Sequence, residues 1–133
     1  MEQTVASLIS SPVHTVRADD TVEAVSEELR RSGLSFVPVV TSPGESLLGI
    51  ISARDILQFK SAKRDPGSVR AWEICSYKPV EVDANATLGE VARLMVDRQE
   101  HHVIVMNHDA VAGVVSSLDF VNAFLKQQPE RQA

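Results

Sequence analysis

The feature that most constrains this 133-residue chain is an internal repeat. Residues 21–40 and 87–106 align at an offset of 66, which pairs Thr21 with Thr87, Val22 with Leu88, Val25 with Val91, Leu29 with Met95, Val37 with Val103 and Val39 with Val105. Identity is low, but the apolar positions agree, and fixed-period agreement of this kind signals a duplicated structural unit. Past a loop two residues shorter, the offset becomes 64, and Gly49, Ser52 and Asp55 of "GIISARD" meet Gly113, Ser116 and Asp119 of "GVVSSLD". Upstream, "SSPVHTV" matches "SYKPVEV" with Pro12 opposite Pro79. The copies occupy residues 1–60 and 71–133, and the polar, Pro-Gly-containing segment 61–70 is the natural joint.

Within each copy the periodicities follow one order. A short strand is expected over 13–17 or 80–83. Val22, Val25 and Leu29, spaced by three and four, then form the buried stripe of a helix, as do Leu88, Val91 and Met95. Asp20 with Glu23, and Thr87 with Glu90, have the spacing of capping boxes. Two apolar strands follow, over 35–40 and 47–51 around Ser42-Pro43-Gly44, and over 101–106 and 111–115 in the second copy. A second helix begins after Ser52 or Ser116 and ends near Lys60 or before Pro129. The expected class is α/β, two pseudo-symmetric β-α-β-β-α repeats packed as one module. A copy of about 60 residues buries too little apolar surface to be secure alone. Packing of the copies would create clefts suited to small ligands, and remaining apolar faces favour a homodimer by twofold pairing.

Composition excludes several alternatives. A hydrophobic content of 44% fits one soluble globular module, and no apolar run approaches the roughly 18 residues needed to span a bilayer. A basic, apolar signal segment is not visible at the N-terminus, so a cytoplasmic location is expected, with no membrane partner. A net charge of −5, without a basic stripe to offset it, argues against nucleic acid. The single cysteine, Cys75, reads as a buried apolar side chain. Trp72 with Ile74 is expected to anchor the segment entering the second copy by burial. Lys60, Lys63 and Arg64 read as a solvated end of the joint. His101, His102, His108 and Asp109 lie close in sequence, but without helical ligand spacing no metal is expected. Ser116 and Asp119 lack the imidazole line and elbow of a nucleophilic triad, so no enzymatic activity is expected.

The Ser-x-x-Asp pair that ends each apolar run has two readings. It is a common helix start, in which the hydroxyl takes a free backbone N–H and the acid faces the positive helix end. The second reading comes from a resemblance. "SSPVHTVRADDTVEAV", "GLSFVPVV" and "GIISARDIL", then "KPVEVDANATLGEVARLMV", "HHVIVM" and "GVVSSLDFV", resemble tandem cystathionine-β-synthase (CBS) domains, or a Bateman module, over nearly the whole chain. The resemblance implies a regulatory module binding an adenosine ligand, namely AMP, ADP or ATP, with S-adenosylmethionine or a NAD-type dinucleotide as other members of the class. It also implies an effector protein as listener; the competing class is a dimerisation scaffold with no nucleotide.

The same resemblance assigns roles. Asp119 and Asp55 would accept the ribose diol, with Ser116 and Ser52 contacting ribose or phosphate. A vicinal diol offers two donors, and bonds to a charged acceptor are worth about 1.5–3 kcal/mol each. "EHHVIV" is similar to the basic pair opening the same strand in the γ subunit of AMP-activated protein kinase, which gives His101 and His102 a phosphate role. Arginine often stands at the place of His102, so binding through a protonated histidine would fall as pH rises through about 6 to 8. In the first copy Ser35 and Phe36 hold these places, and Arg54 is the substitute cation. Ser10 and Ser11 would line the second-copy site, and Ser76 the first.

Overall fold

The computed structural model describes residues 3–9, 13–41, 46–76 and 79–127. Its contacts define two compact units, one of residues 14–79 with 109–111, the other of the N-terminal segment to residue 13 with 80–108 and 112 onward.

In the first unit, β1 (Val16–Arg17), α1 (Val22–Ser32), β2 (Phe36–Val40), β3 (Leu47–Ser52) and α2 (Ala53–Ser61) follow in the expected order. The sheet order is β1-β2-β3. β1 runs parallel to β2 with Val16 opposite Val39, and β2 antiparallel to β3 with Val37 opposite Ile51. Alternation of strand side chains and the three-four spacing on α1 converge on one core that contains Val22, Val25, Leu29, Val37, Val39, Ile51, Ile56 and Phe59. β1 is shorter than the expected strand over 13–17, because parallel pairing with β2 covers Val16 and Arg17 alone. Thr21, not Asp20, caps α1: its hydroxyl accepts from the Ala24 N–H at 3.1 Å, while the Asp20 carboxylate takes the Arg17 N–H at 2.8 Å. The Ser42-Pro43-Gly44 loop lies outside the described residues.

The second unit repeats this plan with β4 (Glu81–Asp83), α4 (Leu88–Arg98), β5 (His102–Asn107), β6 (Ala110–Ser116) and α5 (Ser117–Gln127). Its sheet order is β4-β5-β6, with Val82 parallel to Val105. The Thr87–Glu90 capping box forms as expected, and the hydrogen bond from the Thr87 backbone holds the Glu90 carboxyl below its ordinary value.

Each core is closed by a segment that precedes the other copy. A 3-10 turn, Val5–Leu8, belongs to the second unit, and α3 (Ala71–Ile74) belongs to the first. The two are equivalent at the offset of 66. The Val5 N–H donates to the Ala86 carbonyl at 2.7 Å, as that of Ala71 does to Asp20. Ala6 donates to Ala84, and Trp72 to Ala18. Leu88 donates to Gln3, and Val22 to Val69. Val5 and Ala71 are wholly buried. Trp72 corrects the sequence expectation: it is 47% exposed, and Ala71, Cys75 and Val69 are the buried anchors. Lys60, Lys63 and Arg64 are exposed, and the Arg64 guanidinium lies 5.6 Å from the centroid of the Phe59 ring.

Gly49 and Gly113 show why the repeat keeps a glycine in its third strand. Ile50 and Ser76 exchange two backbone hydrogen bonds, at 3.0 and 2.8 Å, beside Gly49. A Cβ on Gly49 would stand 2.1 Å from the Ser76 carbonyl oxygen, whereas among the described residues one on Gly113 would meet the Ile9 side chain at 2.9–3.1 Å. Backbone cannot give way as a side-chain tip can. Gly49→Ala is therefore expected to cost about 3 kcal/mol and Gly113→Ala about 1. Urea denaturation of both variants checks the order; equal midpoints would contradict it.

Candidate functional site

Both Ser-x-x-Asp pairs build the same corner. The Ser52 N–H donates to Asp55 Oδ2 at 2.8 Å, the Ser52 hydroxyl to the same oxygen at 3.0 Å, and the Asp55 N–H to the Ser52 hydroxyl at 3.2 Å. In the second copy the Ser116–Asp119 distances are 2.8, 3.1 and 3.3 Å. The next N–H is fixed in both cases by a carbonyl at the start of the preceding strand pair: Ala53 donates to Ser35 at 2.8 Å and Ser117 to His101 at 2.9 Å. The backbone N–H groups at the mouth of the helix are thus satisfied in a repeated way.

Capping uses only half of each acid. Oδ2 takes both serine donors, and Oδ1 has no hydrogen-bond partner among the described residues. Asp55 and Asp119 are partly buried, and the two bonds to Oδ2 hold each carboxylate at a fixed backbone corner while Oδ1 keeps its accepting capacity. Such an oxygen is suited to accept from a ligand hydroxyl without reorganisation.

The surroundings of Asp119 are distinctive. It lines a groove of about 400 Å³ with Gln3, Ser7, Asn122, Lys126 and Gln127. His101 lines a different, more apolar groove of about 620 Å³ with Ala92, Met95, Val96, Ser117 and Phe120. Ser117 and Phe120 serve one groove and Asp119, Asn122 and Lys126 the other, so different faces of α5 account for the separation. Asp119 is among the charges that act on His102. Partial burial pushes its pKa below the ordinary 6.5, His101 adds to that, and Asp119 and Glu100 oppose it. At neutral pH the ring is therefore uncharged, and the window for a protonated His102 lies lower than sequence alone implied.

Among the other expected residues, Arg54 is exposed on α2. The Ser76 backbone is committed to Ile50, with an exposed side chain. Ser10 and Ser11 lie outside the described residues. Among the described residues there is no group of three or more His, Cys, Asp or Glu able to hold a metal ion. No helix of the described residues is long and apolar enough to cross a membrane. Asn122 and Lys126 escaped the sequence reading, although their spacing of three and seven from Asp119 puts them on one helix face.

The CBS domain family matches residues 5–62 and 71–126. The chain belongs to that family. Among curated relatives, Hypoxic response protein 1 of Mycobacterium tuberculosis is 26% identical over 117 residues, 87% of this chain and 81% of the relative. A CBS domain protein from Pyrobaculum aerophilum, solved with AMP, superposes with a TM-score of 0.81 at 22% identity, covering 94% of this chain and 97% of its own. CBSX2, also solved with AMP, gives 0.75 at 21%, covering 92% and 96%. Hypoxic Response Protein I with two coordinated zinc ions gives 0.79 at 23%, covering 96% and 100%. These structures establish the fold of a CBS pair, with α/β repeats as expected.

The lowered pKa of His102 fixes the sign of a pH effect. The folded chain binds that proton less readily than the unfolded chain, so stability falls as pH drops below 6.5 toward the folded pKa, and is flat above. His102→Gln removes this dependence. Urea midpoints of the two proteins at about pH 5.5 and 7.5 test it; a wild-type loss at acid pH no larger than that of the variant would contradict the assignment.

Proposed function

We propose that this CBS pair is a non-enzymatic regulatory module that binds an adenosine nucleotide of the AMP, ADP or ATP class at the Asp119 corner. The observation that carries the reading is Asp119 itself, held through Oδ2 by the Ser116 corner and lining a groove of ligand size. In this reading Oδ1 accepts the ribose diol and Ser116 fixes the acid. His102 is acted on by the Asp119 charge, and His101 and the Ser10–Ser11 stretch are secondary. Asp55 and Ser52, with Arg54 and Ser76 nearby, form the weaker counterpart in the first copy. The two AMP-bound neighbours support adenine nucleotides as the ligand class; S-adenosylmethionine and NAD-type dinucleotides share its adenosine part. Signalling follows from linkage, since a ligand that prefers one conformation shifts its population for an effector protein to read.

A second reading rests on α5, which has no buried residue and exposes Leu118, Val121, Phe124 and Leu125 by 51–64%. A second copy of the chain is the occupant we assign to this face, because a twofold axis covers a self-complementary patch on both partners at once. Sedimentation analysis of wild type and Val121→Glu is expected to show a dimer and a monomer; a monomeric wild type would remove the homodimer and the scaffold reading with it.

Thermal melting with AMP, ADP, ATP, S-adenosylmethionine and NADH tests the nucleotide reading. A ligand at 100 times its dissociation constant adds about 2.7 kcal/mol. Asp119→Ala, itself about 1 kcal/mol less stable through the lost cap, is expected to lose most of the ligand-induced shift. If no compound moves the wild-type melt, the nucleotide reading fails.

A further inference from the structure

The groove beside Asp119 is polar in a particular way. Along α5, Asp119, Asn122 and Lys126 lie on one face and all line it, and the N-terminal turn supplies Gln3 and Ser7 to the facing wall. At about 1.5 Å per residue, Lys126 is rooted roughly 10 Å along the helix axis from Asp119. Helical side chains lean toward the N-terminus, so a lysine rooted there has the reach to serve the stretch beside Asn122. Lys126 makes no ion pair or hydrogen bond among the described residues. The Gln127 amide donates to the Gln3 side-chain oxygen at 3.4 Å, joining the two walls by side chains alone.

A carboxylate oxygen at one end and a lysine at the other, each without a partner among the described residues, ask for a ligand of matching polarity. Its hydroxyl end donates to Asp119, and its anionic end receives Lys126. Asn122 and Ser7, which both donate and accept, suit the stretch between. Lys126 is the sole cation among the described residues lining this groove. A basic residue in a last helical turn also offsets the negative helix end, but that role is indifferent to what occupies the groove and is separable by experiment.

We propose that the groove between the N-terminal turn and α5 is the polyphosphate arm of the nucleotide site, with the phosphates running from the ribose on Asp119 toward Lys126, Asn122 and Gln3. This rests on the nucleotide reading above and adds a direction and a selectivity to it. The length of the arm favours two or three phosphates over one, because a longer chain reaches the ammonium with less bending of the lysine.

Calorimetric titration of wild type, Lys126→Gln and Asp119→Ala with adenosine, AMP, ADP and ATP tests the arm. Wild type is expected to bind in the order ATP, ADP, AMP, adenosine. Lys126→Gln is expected to weaken ATP and ADP about tenfold, AMP less and adenosine not at all, so the series flattens. Asp119→Ala weakens all four together. An unchanged series in Lys126→Gln, with Asp119→Ala still weakening every compound, overturns the arm and leaves the nucleotide reading standing. Equal loss of adenosine and ATP in Lys126→Gln also overturns it, since that marks a structural role. If wild type binds none of the four, the nucleotide reading fails and takes the arm with it. Titration with inorganic triphosphate separates phosphate capture alone from nucleotide binding: affinity equal to that of ATP overturns the assignment of the ribose to Asp119.

Discussion

Val5 and Ala71, each wholly shielded, close cores that their own copies do not own. This exchange is the constraint on which the rest depends. A β-α-β-β-α copy has three strands and two helices, too few to cover both the start of its first helix and the end of its third strand. The missing cover comes from segments 3–9 and 69–76, whose N–H groups pair with carbonyls at equivalent places in the two units. Neither copy is complete as a linear piece of chain, so the duplication is a structural requirement as well as a record of descent.

The exchange also explains what the repeated glycine is for. Backbone pairing of Ile50 with Ser76 brings a carbonyl against Gly49, where no side chain fits. That places the incoming segment beside the third strand, and the third strand ends in the serine that starts the acid-bearing helix. Glycine, serine and aspartate at spacings of three are therefore one device. The first admits a neighbouring chain, the second turns strand into helix, and the third locks the turn while keeping accepting capacity at its other oxygen.

The sequence carried the repeat, the element order and the apolar stripes, because each is a periodic property of local residues. It carried the capping box at Thr87 for the same reason. It misplaced the cap of α1 because Asp20 and Thr21 are both good capping residues, and only the competing bond from the Arg17 N–H to Asp20 separates them. Trp72 was overvalued because area favours burying the largest side chain, whereas the closely packed segment puts Val69, Ala71 and Cys75 at the core. His101 and His102 were legible as a pair, but the groove that His101 lines and the burial that lowers the His102 pKa depend on the folded surroundings. Lys126 was invisible because it stands out only beside a groove whose other wall is more than a hundred residues away in the chain.

The site stands on a lightly held element. α5 buries no residue fully, and Phe120 only partly joins the core below it. Its start is fixed by the Ser116–Asp119 corner and by the His101 carbonyl, while its end is joined to the N-terminal turn by the Gln127–Gln3 contact. Helices with few buried contacts open at lower free energy than the core beneath them. A ligand spanning the first and third turns of α5 and the N-terminal turn would tie the loose end of this helix to a wall that the core already holds, so its binding free energy would appear first as local order along α5. The apolar side chains at the surface of α5 lie on the same helix, so ordering it also orders the face a partner would meet. Coupling between ligand and partner then needs no motion of the cores, only a change in how firmly one helix is held.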